Sequence, residues 1–261
     1  MPSTSAQVPR LFFSVLPPGK PPPNGGGGGA PEFIGDLAVT DLAWQEGKFE
    51  HLRTGMVLTS QGLHIDYFSL QGPSGSVDLQ GRIGLDRELD FIVTVDGLEV
   101  GDLQLVPELA GEVAAEARLS GQYPLVEVEG VVVGDGISYR DHHLGGVETG
   151  FRWRDGNLVL SDGKLRLAQE QLDFSGQVTL ADQGALDLRI TADQLDLGEL
   201  ATLVGQGIPV TGQLAGGLEI KGWIDNLRGE GTLTVTGLGA YGVTADQVTT
   251  EFHWQDQTMV L

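Results

Sequence analysis

A chain of 261 residues is long enough for one large or two ordinary domains with a sizeable buried core. Its formal charge of −21 would repel phosphate backbones, which argues against nucleic acid, and would discourage flat adsorption onto an anionic membrane. The absence of cysteine excludes disulfides, thiol catalysis and cysteine-based zinc sites. Hydrophobic residues, at 40%, are ordinary in number, but the 40 glycines are about twice the usual frequency. Glycine weakens the interior of helices and strands, so such an excess marks many turns, bulges or close backbone approaches and favours many strands.

Along the chain, residues 1–33 are low in complexity, with Pro17-Pro18, Pro21-Pro22-Pro23 and five glycines from Gly25 to Gly29. A segment of this composition buries too little apolar surface to offset its ordering entropy, and is expected to be disordered. The apolar run from Leu11 to Leu16 is too short for a secretory signal and is followed at once by prolines. No run of roughly 18 apolar residues appears, so no spanning helix is expected. From residue 34 onward, strict alternation takes over. Val77, Leu79, Gly81, Ile83 and Leu85 share one face, followed by Leu89, Phe91, Val93 and Val95. Later, Leu172, Phe174, Gly176, Val178 and Leu180 do the same, then Leu186, Leu188, Ile190 and Ala192, then Leu214, Gly216, Leu218, Ile220 and Gly222. Glu46-Gly47, Gln61-Gly62, Asp155-Gly156-Asn157 and Asp162-Gly163 suit tight hairpins. One short helix is predicted over 198–204, capped by Asp196 and ended by Gly205. Its counterpart, 101–110, carries Pro107 and is a poorer helix.

The pattern is a repeat. Leu89-DFIVTVDGLEVGD-Leu103 aligns with Leu186-DLRITADQLDLGE-Leu200. At an offset of 95, Gly35, Thr54, Leu63, Leu70, Asp78 and Gly81 match Gly130, Thr149, Leu158, Leu165, Asp173 and Gly176. At an offset of 101, Gly111, Gly121, Phe151, Trp153 and Asp155 match Gly212, Gly222, Phe252, Trp254 and Asp256. The organisation expected is a disordered 1–33, a first β-repeat at 34–129, a second at 130–230 and the start of a third at 231–261, which reads as a fragment. Each repeat should hold about six strands, mostly of 8–10 residues, and one short helix. The fold class is therefore all-β, a repeated antiparallel meander. The few aromatics and the many small residues facing inward favour one wide curved sheet forming a groove over a closed sandwich.

In these elements the chain resembles the AsmA-like superfamily, and its TamB branch most of all. The carriers are the run from Leu186 to Leu200, Thr211-Gly212-Gln213-Leu214 with Gly222, the opening Gly229-Glu230-Gly231-Thr232-Leu233, and the hairpin from Phe151 to Leu158. The resemblance implies an elongated β-taco in the periplasm of a diderm bacterium. It implies tethering to the inner membrane through a segment absent from this chain, with a membrane-anchored parent protein and an outer-membrane partner. It also implies carriage of phospholipid towards the outer membrane in support of outer-membrane biogenesis. The lipid-lining residues would be Val77, Leu79, Ile83, Phe91, Val93, Val95, Leu172, Phe174, Val178, Leu188, Ile190, Leu218 and Ile220, facing phospholipid acyl chains.

No catalytic site, metal or cofactor is expected. His142-His143, beside Asp141, would diverge if on a strand, and a loop is the simpler place for them. The pairs Asp90 with Asp96 and Asp187 with Asp193 fall on polar strand faces, where solvated surface is the plain reading. Gly134-Asp135-Gly136 lacks the nonapeptide spacing of calcium-binding β-rolls, and no Gly-x-Ser-x-Gly elbow occurs. The four tryptophans read as packing residues at strand ends. The alternative functional class is a structural or adhesive extracellular β-repeat protein with a closed core; a β-rich enzyme acting on glycans has no paired carboxylates among exposed aromatics to support it.

Overall fold

A computed structural model describes residues 10–15, 33–44, 47–103, 108–139, 142–167, 170–179, 184–203, 209–223, 226–255 and 258–260. Among the described residues sixteen strands follow the chain: β1 (Arg10–Val15), β2 (Phe33–Trp44), β3 (Gly47–Thr59), β4 (Gly62–Gly72), β5 (Gly75–Gly84), β6 (Glu88–Glu99), β7 (Leu109–Gln122) and β8 (Leu125–Tyr139). Then come β9 (His142–Arg154), β10 (Asn157–Leu167), β11 (Glu170–Thr179), β12 (Ala185–Asp196), β13 (Val210–Trp223), β14 (Asn226–Ala240), β15 (Val243–Gln255) and β16 (Thr258–Val260). A 3-10 turn at Val100–Leu103 follows β6, and one helix, α1 (Leu197–Leu203), follows β12. The strand order in the sheet is the chain order, an antiparallel meander, as the alternation predicts.

The fold is all-β, but several expectations need correction. The strands from β2 to β15 run 10 to 15 residues, and all but β5 and β11 are longer than the 8–10 expected. Part of the low-complexity head, Arg10–Val15, is strand: its Leu-Phe-Phe run lies against β2 from Arg10 opposite Thr40 to Val15 opposite Gly35. His142 and His143 open β9 and are not in a loop. Asp162-Gly163 is a bulge inside β10, where the register to β11 shifts between Leu160 and Gly163; Asp162 takes a positive φ of 51°. Gln61 and Asp155-Gly156 do lie at turns. Gly205 and Glu46 lie outside the described residues.

The strand boundaries repeat as the sequence does. β3, β4 and β5 recur as β9, β10 and β11 at the offset of 95, and β7, β8 and β9 recur as β13, β14 and β15 at 101. The change of offset resides in two links. The β11–β12 link is two residues longer than the β5–β6 link, and the α1 link is four longer than its 3-10 counterpart. The repeat boundaries drawn at 129/130 and 230/231 fall inside β8 and β14, because the Glu-Gly matches that drew them sit in mid-strand. Among the described residues only the second copy of the link makes an α-helix. There Asp196 Oδ1 accepts from the N–H of Gly198 at 2.7 Å and of Glu199 at 3.1 Å, the cap the sequence predicts.

The chain divides into two compact units, Met1–Glu99 with Ala114–Val128, and Val100–Val113 with Glu129–Leu261. In the second, α1 packs on β12 and β13 and also reaches β9, past β10 and β11.

Candidate functional site

Antiparallel register converts alternation along each strand into rows across it. In the first unit four such rows run from β2 to β6 on one face. They are Phe33, Leu58, Leu63, Ile83 and Leu89; Gly35, Met56, Ile65, Gly81 and Phe91; Leu37, Thr54, Phe68, Leu79 and Val93; and Val39, Leu52, Leu70, Val77 and Val95. In the second unit the rows cross β9 to β15. One holds Trp153, Leu158, Val178, Leu186, Gly222 and Leu227; the next holds Phe151, Leu160, Gly176, Leu188, Ile220, Gly229 and Trp254. A third holds Gly163, Phe174, Ile190, Leu218, Gly231 and Phe252, and a fourth Leu165, Leu172, Ala192, Gly216 and Leu233.

All thirteen lining residues named from the sequence fall on these faces, six in the first unit and seven in the second. Sequence reasoning missed much of what joins them: Met56, Ile65, Phe68, Leu70, Phe151, Leu160 and Phe252. In β4 and β10 the reason is a bulge. Asp66-Tyr67 in β4 and Ser161-Asp162 in β10 each put two exposed residues in succession, so the phase of the alternation flips. The two bulges stand 95 residues apart, so the repeat offset was the available signal.

These faces are only partly covered. Phe91, at 7% exposure, and Leu195, Leu214 and Phe252 are buried, but no large side chain among the described residues is fully so. Most row residues are half-buried. Thr54, at 5%, is the one buried polar residue among those described, set between Leu37 and Phe68. Glycines of the rows make room for rings or for backbone carbonyls: at Gly176 and Gly216 an added Cβ would collide with a carbonyl oxygen. A Cβ on Gly163 would collide with the ring of Phe174 opposite it, and one on Gly231 would come within 2.9 Å of the Phe252 ring. Small residues here are partly covered by aromatic neighbours, and are not simply gaps.

The opposite face is charged and wet. Ion pairs cross adjacent strands: Arg118 to Asp90 at 3.0 Å, Arg152 to Glu129 at 3.2 Å and Arg166 to Glu148 at 3.2 Å. Glu219 accepts from both Lys221, at 2.8 Å, and Arg189. Hydrogen bonds from Lys221 first and Arg189 second hold the Glu219 carboxyl below its ordinary value, and the same bond pushes Lys221 up. Tyr67 donates to Asp36 Oδ1 at 2.9 Å, which raises its phenol. An open depression of about 510 Å³ around Gly217 is walled by Arg189, Glu219, Glu230 and His253; Arg189 pairs with Glu219, and His253 Nδ1 lies 3.8 Å from Glu230. No cluster of metal-ligating side chains occurs among the described residues, and no helix there is long and apolar enough to cross a membrane.

A scan against protein-family models returns no match, and neither does a search among curated proteins or among solved structures.

Proposed function

We propose that this chain is a non-enzymatic carrier of phospholipid, holding acyl chains against the apolar faces of its sheet between the inner and outer membranes of a cell envelope. One observation supports the reading above others: in each unit, apolar rows continue across at least five strands, and among the described residues no large side chain is fully buried. Monomeric proteins seldom leave so continuous an apolar surface bare, and such a surface needs an apolar occupant. Acyl chains suit it because withdrawing them from water is worth about 0.8 kcal/mol per CH₂, and a continuous row lets them move without returning to water. The charge of −21 on the same molecule keeps the polar face solvated. In this reading the partners are lipid, a membrane-anchored parent protein and an outer-membrane partner, and the location is the periplasm.

The experiment is native mass spectrometry of the chain released gently from membranes, with the bound molecules identified. Phospholipid should accompany the native chain and be lost from Val93→Glu and Ile190→Glu, which place a charge in the middle of a row in each unit. A chain that remains lipid-free, even after incubation with phospholipid micelles, overturns the proposal.

A further inference from the structure

The three most exposed large apolar side chains described in the first unit stand at one rim. Three successive links meet there: 60–61 between β3 and β4, 85–87 between β5 and β6, and 123–124 between β7 and β8. Backbone hydrogen bonds tie them together, from Leu85 N–H to Gln61 C=O at 3.3 Å and from Tyr123 N–H to Arg87 C=O at 3.0 Å. The Gln122 amide adds a bond to Asp86 C=O at 2.9 Å. From this tied edge project Leu85 (72% exposed), Leu125 (62%), Tyr123 (61%) and Leu58 (46%). Leu58 also belongs to the apolar row that continues through Leu63, Ile83 and Leu89, so the rim is the end of the apolar face itself.

Charge says what this rim meets. The chain as a whole carries −21, yet the three stretches 58–63, 82–89 and 122–126 contain only Arg82, Asp86, Arg87 and Glu88, two of each sign. Arg82 and Glu88 stand 4.0 Å apart. A partner of strong positive charge would be drawn to the acidic remainder of the molecule, not to this neutral edge. A zwitterionic headgroup layer suits it instead: leucines enter the acyl boundary, and a tyrosine sits where apolar and polar meet.

We infer that this rim of the first unit docks on the surface of a zwitterionic bilayer and there joins the apolar face to the acyl layer of the membrane. The inference rests on the lipid-carrying reading and adds to it the edge through which lipid passes. No exchange of headgroup or covalent step is involved; the docked rim removes the water gap between two apolar phases.

The test is flotation of the full chain with phosphatidylcholine vesicles, comparing the native protein, Leu85→Ser with Leu125→Ser, and Ile92→Ser as control. Ile92 is an exposed apolar residue of the same unit on the opposite, polar face. The rim variant should lose vesicle binding by about tenfold or more, since each leucine contributes to burial. The control should float as the native chain does, and circular dichroism should show the strands intact in all three. Vesicle binding that persists in the rim variant, or a dimer in solution that the rim variant dissolves, overturns the inference. Uptake of phospholipid from detergent micelles, measured in parallel, separates the two readings. Uptake kept while vesicle binding is indifferent to the rim removes the docking edge alone, whereas absence of uptake removes the carrier.

Discussion

The two copies of the repeat place an aromatic ring over the same position of the sheet but attach it to different strands. In the first copy Phe68 on β4 supplies its own ring and faces Leu79 on β5. In the second, 95 residues on, β10 has Gly163, and the ring over it belongs to Phe174 on β11. The lattice therefore specifies where apolar volume goes and leaves open which strand carries it. That is how divergent copies keep one architecture: a compensated pair survives where a single change does not.

The largest effect should come from breaking that compensation. Gly163→Phe alone puts two rings into one space and should destabilise the β10–β11 pairing by roughly 1–3 kcal/mol. Gly163→Phe with Phe174→Leu copies the first repeat and should recover most of the loss; amide hydrogen exchange across β10 and β11 reads both. A double variant no more protected than the single one would show the ring's position to be incidental. Next in size is the other difference between the copies, the link after β6 or β12. Asp196→Ala removes the cap of α1 and should cost about 1 kcal/mol, seen as faster exchange at Gly198 and Glu199. The smallest effect concerns charge. Glu219 has a lowered carboxyl pKa, so its contribution is complete above its ordinary value of 4.5 and disappears as pH falls through the lowered one. Glu219→Gln should therefore flatten the acid limb of a pH titration of β12–β13 protection and leave neutral pH nearly unaffected; an unchanged acid limb would show the exposed pair to be inert.

Much of this architecture was legible as period-two alternation, because a half-covered sheet selects strongly for one apolar side. Val93 and Ile190 could be assigned to a face from their own neighbours in sequence. Asp196 was legible for a similar reason, since capping is decided within a few residues. Phe68 and Leu160 were not, because each lies across a bulge from its partners in phase, and a bulge is defined by the opposite strand. Asp162-Gly163 has the composition of a turn, and only the register to β11 distinguishes a bulge from a hairpin. Arg10–Val15 was hidden by the prolines and glycines that follow it, which say nothing about a strand whose ladder is supplied by β2. The neutral rim could be read from no single segment, as it gathers residues from 58 to 125.

That every pairing within each unit joins consecutive strands has a kinetic consequence. Such contacts are short in sequence, and closing a hairpin takes microseconds, so a strand can be added as soon as its predecessor is in place. Stability then approximates a sum of nearest-neighbour terms, as along a one-dimensional chain of spins. Heating should unravel the molecule strand by strand from its edges over a broad interval, with no single melting temperature for the whole.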